Sequence, residues 1–366
     1  MPLRSVDPSN YQQQLDNKIA RIGGQFHEFG IPRLEIFAST PLNFRMRAEF
    51  RIWHQGDDTH YVMFRKEAPK TPHNIEQFPI GSTTIQALMP RLMAKIKQQP
   101  ILRDRLFQIE FLTTQTSEAL VTLIYHKRLQ DDWINAAKQL QEELAISIIG
   151  RSKKQKCVLD KDYVIEKLSI NGQNFQFQQV ETGFTQPNAG INEKMLGWAL
   201  DNTVKSKGDL LELYCGNGNF TAVLAQNFQR VLATEISKTS VKSAQYNFAL
   251  NNIDNVDVLR MSSEEFSSAL HGEREYRRLA NIQLTDYDIQ TVLVDPPRAG
   301  VDDGTLSLIN QFQRIIYISC NPSTLHDNLQ KLTKTHEIST FALFDQFPYT
   351  DHIECGVILD KKENSQ

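Results

Sequence analysis

Cysteine is scarce in this chain. There are four in 366 residues: Cys157, Cys215, Cys320 and Cys355. No two stand two to four residues apart, which excludes a zinc-knuckle or iron–sulfur spacing, and a disulfide scaffold would need many more at this length. A reducing compartment suits such a chain. No uncharged apolar run is long enough to cross a bilayer, and the start, MPLRSVDPSNYQQQLDNK, lacks the apolar core of a secretory signal. Repeats and low-complexity tracts are absent. Charge of one sign is not in excess either. Lys plus Arg is 40 against 43 Asp plus Glu, a formal net charge of −3, which argues against a protein that coats polyanions along its whole length. The expectation is a soluble, cytoplasmic monomer with no metal, no iron–sulfur cluster and no membrane contact.

What is present is an ordinary globular composition, 40% hydrophobic and 23% charged, in a chain long enough for about two domains. Its charge is unevenly divided. Residues 1–156 carry 22 basic and 16 acidic side chains; residues 157–366 carry 18 and 27. A positive front half suits a polyanion, although solubility alone can produce the same asymmetry. The front, 1–156, reads as an α+β domain: a helix over 9–30, a strand over 44–54, a returning strand over 60–65, a helix over 82–98, strands near 106–112 and 119–126, and a helix near 132–144. The strand at 44–54 alternates. Phe44, Met46, Ala48, Phe50 and Ile52 face one way; Arg45, Arg47, Glu49, Arg51 and Trp53 face the other. Arg45, Arg47 and Arg51 can contact phosphates and Trp53 can stack on a base, or the face is simply a solvated outer surface.

A β segment over 157–187 connects to 188–366, where a helix over 189–204 is followed by strand–helix alternation. Strands are expected at 209–213, 230–234, 256–260, 291–294, 315–319, 339–346 and 354–359, with a charged insertion at 271–289. The pattern predicts a doubly wound parallel sheet of seven strands whose last strand runs antiparallel, the Rossmann-like methyltransferase architecture. The first strand runs into Glu212-Leu-Tyr-Cys-Gly216-Asn-Gly218-Asn-Phe220. It has neither the third glycine of a dinucleotide fingerprint nor the Gly-Lys-Ser/Thr of a P-loop, and resembles the cofactor loop of S-adenosylmethionine-dependent methyltransferases. Glu235 ends the second strand, where a carboxylate can accept hydrogen bonds from ribose hydroxyls; NAD would ask for the same acid. The fourth strand ends in Asp295-Pro-Pro-Arg298. In amine-directed nucleic-acid methyltransferases an aromatic residue follows such a motif, and the arginine here counts against that chemistry.

The fifth strand ends in Ser319-Cys320-Asn321-Pro322. Near a helix N-terminus a thiol is expected to have a lowered pKa. Glu354 lies in a mostly apolar strand, which costs stability unless the carboxylate is paired or catalytic. One reaction uses both. A thiolate adding to C6 of uracil makes C5 nucleophilic, C5 takes a methyl group from a sulfonium donor, and a base removes the C5 proton before the thiolate leaves. Cys320, Glu354 and the Gly216 loop fit these three roles; Cys215 and Cys355 read as packing residues.

The segments FRMRAEFRIWH (44–54), FTQPN (184–188), DLLELYCGNGNF (209–220), ATEIS (233–237), VDPPR (294–298), ISCNP (318–322) and LFDQFPYTDHIECGV (343–357) closely resemble the bacterial tRNA (uracil-5-)-methyltransferase family. The resemblance covers nearly the whole chain. It implies 5-methyluridine formation at the T-loop uridine of tRNA (uridine-54), with Cys320 as nucleophile and Glu354 as proton acceptor. It implies an S-adenosylmethionine site lined by Gln186, Tyr214, Asn219, Glu235 and Asp295 beside Gly216 and Gly218. The tRNA T-arm would be the partner of the front domain, with Arg298 a further RNA contact. Many ribosomal-RNA relatives carry a four-cysteine cluster and an added β-barrel that this chain lacks, which favours tRNA. A cluster-free ribosomal-RNA enzyme and a non-catalytic RNA-binding or RNA-folding protein are the alternatives.

Overall fold

The computed structural model describes residues 6–65 and 68–363. The chain divides into two compact units. Of the described residues, one unit comprises 6–9, Thr40–Leu168 and Gln178–Ala189; the other comprises Asn10–Ser39, Ser169–Phe177 and 190–363.

The second unit begins with α1 (Tyr11–Gln25) and β1 (Glu35–Phe37). The segment Asn10–Ser39, which the sequence reading placed with the front domain, therefore packs with the back of the chain. The reason is apolar: Tyr11, Leu15, Ile22 and Phe26 are buried in the same core as Leu213, Val294, Tyr317 and Phe341. Burying each large apolar side chain is worth roughly 1.5–3 kcal/mol. The predicted helix ends at Gln25, and β1 adds an unforeseen strand.

The first unit is an α+β fold, as expected. Strands β2 (Arg47–Gln55), β3 (Asp58–Arg65), β4 (Ala68–Asn74), β5 (Leu106–Thr113), β6 (Ala119–Tyr125), β7 (Ser147–Ser152) and β8 (Gln155–Val158) form a sheet of order β4-β3-β2-β5-β6-β7-β8. It is covered by α2 (Thr83–Gln98), α3 (Pro100–Arg103) and α4 (Asp131–Leu144). Ser82 caps α2, its Oγ accepting from Ile85 N at 3.1 Å. The basic run Arg151–Lys156 spans the β7–β8 hairpin, and the 156/157 boundary falls inside β8. Next come β9 (Tyr163–Ile170) and β10 (Gln173–Val180), a two-stranded hairpin.

The rest of the second unit opens with α5 (Ala189–Asp201), then alternates β11 (Asp209–Leu213), α6 (Asn219–Leu224), β12 (Val231–Thr234), α7 (Lys238–Leu250), β13 (Val256–Leu259), α8 (Ser263–Leu270), β14 (Ile289–Val294), α9 (Asp303–Ile309), β15 (Arg314–Ser319) and α10 (Pro322–Leu332), and closes with β16 (His336–Phe344) and β17 (Glu354–Lys361). The sheet order is β1-β16-β17-β15-β14-β11-β12-β13, eight strands among the described residues rather than seven. All pairings are parallel except those of β17, antiparallel to both β15 and β16. Strands buried on both faces read as continuous apolar runs, and this is why the alternation was legible. The insertion at 271–289 holds two 3-10 turns, at Arg277–Leu279 and Leu284–Asp286.

Candidate active site

Register alone assembles the site. Leu213 of β11 pairs with Thr234 of β12 and with Val294 of β14. One residue further along each strand stand Tyr214, Glu235 and Asp295, in a row at the carboxyl edge of the sheet, where open α/β sheets bind ligands. The antiparallel register of β15 and β17 ends with Ser319 opposite Cys355. Continued by one residue it sets Cys320 opposite Glu354. Directly facing residues share a face of the sheet with Cβ atoms about 4.5–5.5 Å apart.

The loop after β11 is shaped by its glycines. Gly216 (φ +57°) and Gly218 (φ +78°) are both left-handed, but they differ in surroundings. A Cβ on Gly218 would lie 2.6 Å from Phe248 Cε1, whereas one on Gly216 would meet nothing within 4 Å. Gly218 thus lets the loop close onto α7, and Gly216 keeps its outer side open. Glu235 spans the same loop, Oε2 accepting from Gly216 N at 3.1 Å and Oε1 from Ser237 N at 2.7 Å. Tyr214 Oη shares a hydrogen bond with Ser263 Oγ at 2.9 Å. Asn219 and Asn192 exchange side-chain amide bonds at 2.8 and 3.0 Å. Behind the loop, Glu212 is fully buried and accepts from Thr221 Oγ1 at 2.7 Å; burial pushes its carboxyl up to about 8. Gln186 belongs to the first unit, in the stretch Gln178–Ala189.

Cys320 is half-buried at the mouth of the sheet, and α10 begins two residues later with Asn321 as its cap. The expected lowering of its pKa is overturned. Burial first, then the carboxylates of Glu354 and Asp295, push the thiol up to about 11, against the opposing charge of Arg298. Desolvation and two acidic neighbours outweigh one helix terminus. Glu354 is buried and held well above the ordinary carboxyl range by burial and by Asp295; burial alone raises Asp295 to about 7. Arg298 is the cation of this group. Its backbone oxygen accepts from Asn321 Nδ2 at 2.9 Å, and its guanidinium lies 3.4–3.5 Å from both ring nitrogens of His352. Sequence reading gave His352 no separate role. Cys215 and Cys355 are buried, in keeping with packing, and Cys157 is half-buried.

In the first unit the alternation of β2 is as read, but the arginines differ. Arg45 Nε donates to Arg47 O at 2.8 Å, and Arg47 donates to the backbone oxygens of Gly183 and Glu181. Both serve the fold. Arg51 instead lies over the Phe107 ring at 3.8 Å, Phe107 stacks on His126 at 4.0 Å, and Trp53 is 42% exposed. Phe107 and His126, with Lys127, Arg128, Lys153 and Lys154, line a groove of about 910 Å³. Nothing in the local sequence spacing marked that groove, because its walls come from four strands, β5 to β8, and from the residues that follow β6 and β7.

The family model for tRNA (uracil-5-)-methyltransferases matches residues 10–362. This chain belongs to that family. Among its relatives named tRNA/tmRNA (uracil-C(5))-methyltransferase, the protein of Pseudoalteromonas atlantica is 56% identical over 361 residues, covering 98% of this chain and 99% of the relative. That of Vibrio cholerae is 53% identical over 370 residues, covering 99% and 100%. The solved Pyrococcus abyssi tRNA (uracil-54, C5)-methyltransferase, in complex with S-adenosyl-L-homocysteine, superposes with a TM-score of 0.72 over 96% of this chain and 83% of its own, at 20% identity, a likeness of fold. The family member described here is an S-adenosylmethionine-dependent methyltransferase, and its site suits that donor. Glu235 follows β12 beside Ile236, which is 69% exposed, and a Cβ on Gly216 would meet nothing within 4 Å.

Proposed function

We propose that this protein methylates C5 of the T-loop uridine of tRNA, uridine-54, through a covalent bond between Cys320 Sγ and C6 of the base. What supports the reading is that the β15–β17 pairing ends at Ser319 and Cys355, which brings the next residues, Cys320 and Glu354, to the sheet edge shared by Tyr214, Glu235 and Asp295. Binding alone needs neither a thiol nor a buried acid.

Cys320 enters the reaction as a thiol, because burial first and then its acidic neighbours hold its proton. Its sulfur bonds to C6 as that proton passes to solvent water, from which the released thiolate regains it at the end, and the electron pair moves onto the ring as an enolate. Arg298 is the cation placed to offset the new negative charge. When bound, S-adenosylmethionine would supply the methyl group that C5 takes up and leave as S-adenosylhomocysteine; Gly216, Gly218, Tyr214, Asn219, Glu235 and Asp295 would hold it. Glu354 then takes the remaining C5 proton, the C5–C6 double bond re-forms, and the C6–S bond breaks to return Cys320. Burial raises the proton affinity of Glu354, which strengthens it as an acceptor once it is ionised. Turning the base out of folded RNA costs a few kcal/mol. The groove lined by Phe107, His126, Arg128, Lys153 and Lys154 supplies stacking rings and phosphate partners for the T-arm, with Arg51 and Trp53 beside β5.

The test is to supply the labelled methyl donor with unmodified tRNA, tmRNA and ribosomal RNA separately and to map the product nucleoside. Label in 5-methyluridine at the T-loop of tRNA is expected; label only in ribosomal RNA, or on an exocyclic amine, refutes the reading.

A further inference from the structure

Helix α1 places Tyr11, Gln14, Lys18 and Arg21 at intervals of three and four residues, one face of a helix. In sequence this polar stripe looks like a solvated surface. In the structure its four side chains reach one loop, Asp345–Ile353, which joins β16 to β17 and delivers Glu354. Tyr11 Oη donates to Asp345 Oδ2 at 2.9 Å, and Lys18 Nζ donates to Asp345 Oδ1 at 2.6 Å and to Phe347 O at 2.9 Å. Gln14 donates to Asp345 Oδ2 at 3.3 Å and accepts from Tyr349 N at 3.2 Å. Arg21 donates to Asp351 O. Lys18 and Asp345 are 5% and 0% exposed. Burial holds the Lys18 ammonium below its ordinary pKa in spite of Asp345.

A buried ion pair is weak evidence for stability, because desolvation consumes most of the attraction. An anchor for α1 alone would need no polar stripe; Leu15, Ile22 and Phe26 already bury its apolar side. What the stripe adds is four points of attachment along a single loop. The same loop ends in His352, stacked edge-on to Phe347 with ring centroids 5.9 Å apart and lying against Arg298, and then in Glu354. Fixing its backbone fixes the register at which Glu354 faces Cys320.

We propose that Tyr11, Gln14, Lys18 and Arg21 are positioning residues for the proton-accepting step, acting through the Asp345–Ile353 loop on the carboxyl of Glu354. The proposal rests on the reading of Glu354 as the base. Proton removal from C5 depends on carboxyl placement more steeply than the earlier bond-forming steps do, and a misplacement of about 1 Å can cost on the order of a hundredfold.

Arg21→Ala and Lys18→Met are compared with the unaltered protein and with Glu354→Gln in single-turnover reactions, following formation and breakdown of the denaturant-resistant protein–RNA adduct. Arg21 is exposed, so its truncation leaves the core intact. Should Lys18→Met fail to melt cooperatively, Lys18→Met/Asp345→Asn removes the stranded buried charge as well. Expected is adduct breakdown slowed about tenfold to a hundredfold, with formation changed less than about threefold and tRNA binding unaltered. Folded variants that break the adduct down at the unaltered rate, or that slow formation and breakdown equally, overturn the positioning role. Glu354→Gln separates the two levels. Normal breakdown there overturns the base assignment itself, and slow breakdown there with normal breakdown in the α1 variants overturns only the role given to α1.

Discussion

The chemical state of Cys320 can be read without any RNA, from its rate of alkylation by iodoacetamide. Its thiol is pushed up to about 11, so the thiolate fraction at pH 8 is on the order of one in a thousand, and the rate should rise about tenfold per pH unit until near 11. Two substitutions should move it in opposite directions. Glu354→Gln removes a like charge at the facing position. At about 5 Å and an effective dielectric near 20, that charge is worth about 3 kcal/mol. Half-exposure of Cys320 screens much of this, leaving about one pKa unit, a tenfold gain in thiolate. A thiolate of lower pKa is also a weaker nucleophile, by about threefold per unit, so the net gain is about threefold. The gain appears only above the pH at which Glu354 ionises, since the protonated acid carries no charge. Arg298→Ala removes the favourable cation and should slow alkylation by a similar factor. Peptide mass mapping isolates Cys320 from half-buried Cys157. A rate at Cys320 already flat above pH 8, or slowed by Glu354→Gln, would refute the electrostatic reasoning.

Two further outcomes follow from the geometry. Gly218→Ala drives a Cβ to 2.6 Å from Phe248 at a left-handed φ and should cost about 2–4 kcal/mol in a denaturant titration; Gly216→Ala should cost only about 1–2 kcal/mol but weaken binding of S-adenosylhomocysteine by calorimetry. Equal stability losses would contradict the assignment of separate tasks to the two glycines. Arg51→Ala should weaken tRNA binding and lower the slope of log K against log salt by about one, while Arg47→Ala should mainly lower the melting temperature; the reverse pattern would return Arg51 to a structural role.

The sheet of the second unit and its functional edge were readable because doubly buried strands are apolar runs that stop abruptly. Leu210–Leu213 gives way to Tyr214, Val292–Val294 to Asp295, and Ile315–Ile318 to Ser319 and Cys320. Each polar interruption falls on the ligand edge. What resisted reading depends on partners distant in sequence. The thiol pKa of Cys320 is set by Glu354 and Asp295, and local helix proximity suggested the opposite sign. Alternation correctly turned Arg47 away from the apolar face of β2, but could not show that Gly183 and Glu181 wait there. Three residues of β1 are too few to carry a period, and they become a strand only against Ala342–Phe344. Hydropathy along α1 does not distinguish a face that meets water from one that meets a buried carboxylate such as Asp345.

The central claim is a transient bond from Cys320 to the ring, and RNA bearing 5-fluorouridine at the T-loop tests it most directly. Fluorine at C5 cannot be removed as a proton, so Glu354 has nothing to accept and the C6–S bond cannot reopen. Incubated with the methyl donor, the protein should form a denaturant-stable complex whose digestion leaves a methylated, fluorinated nucleotide on the peptide containing Cys320. Recovery of that nucleotide on another residue, or undiminished trapping by Cys320→Ala, would contradict the account.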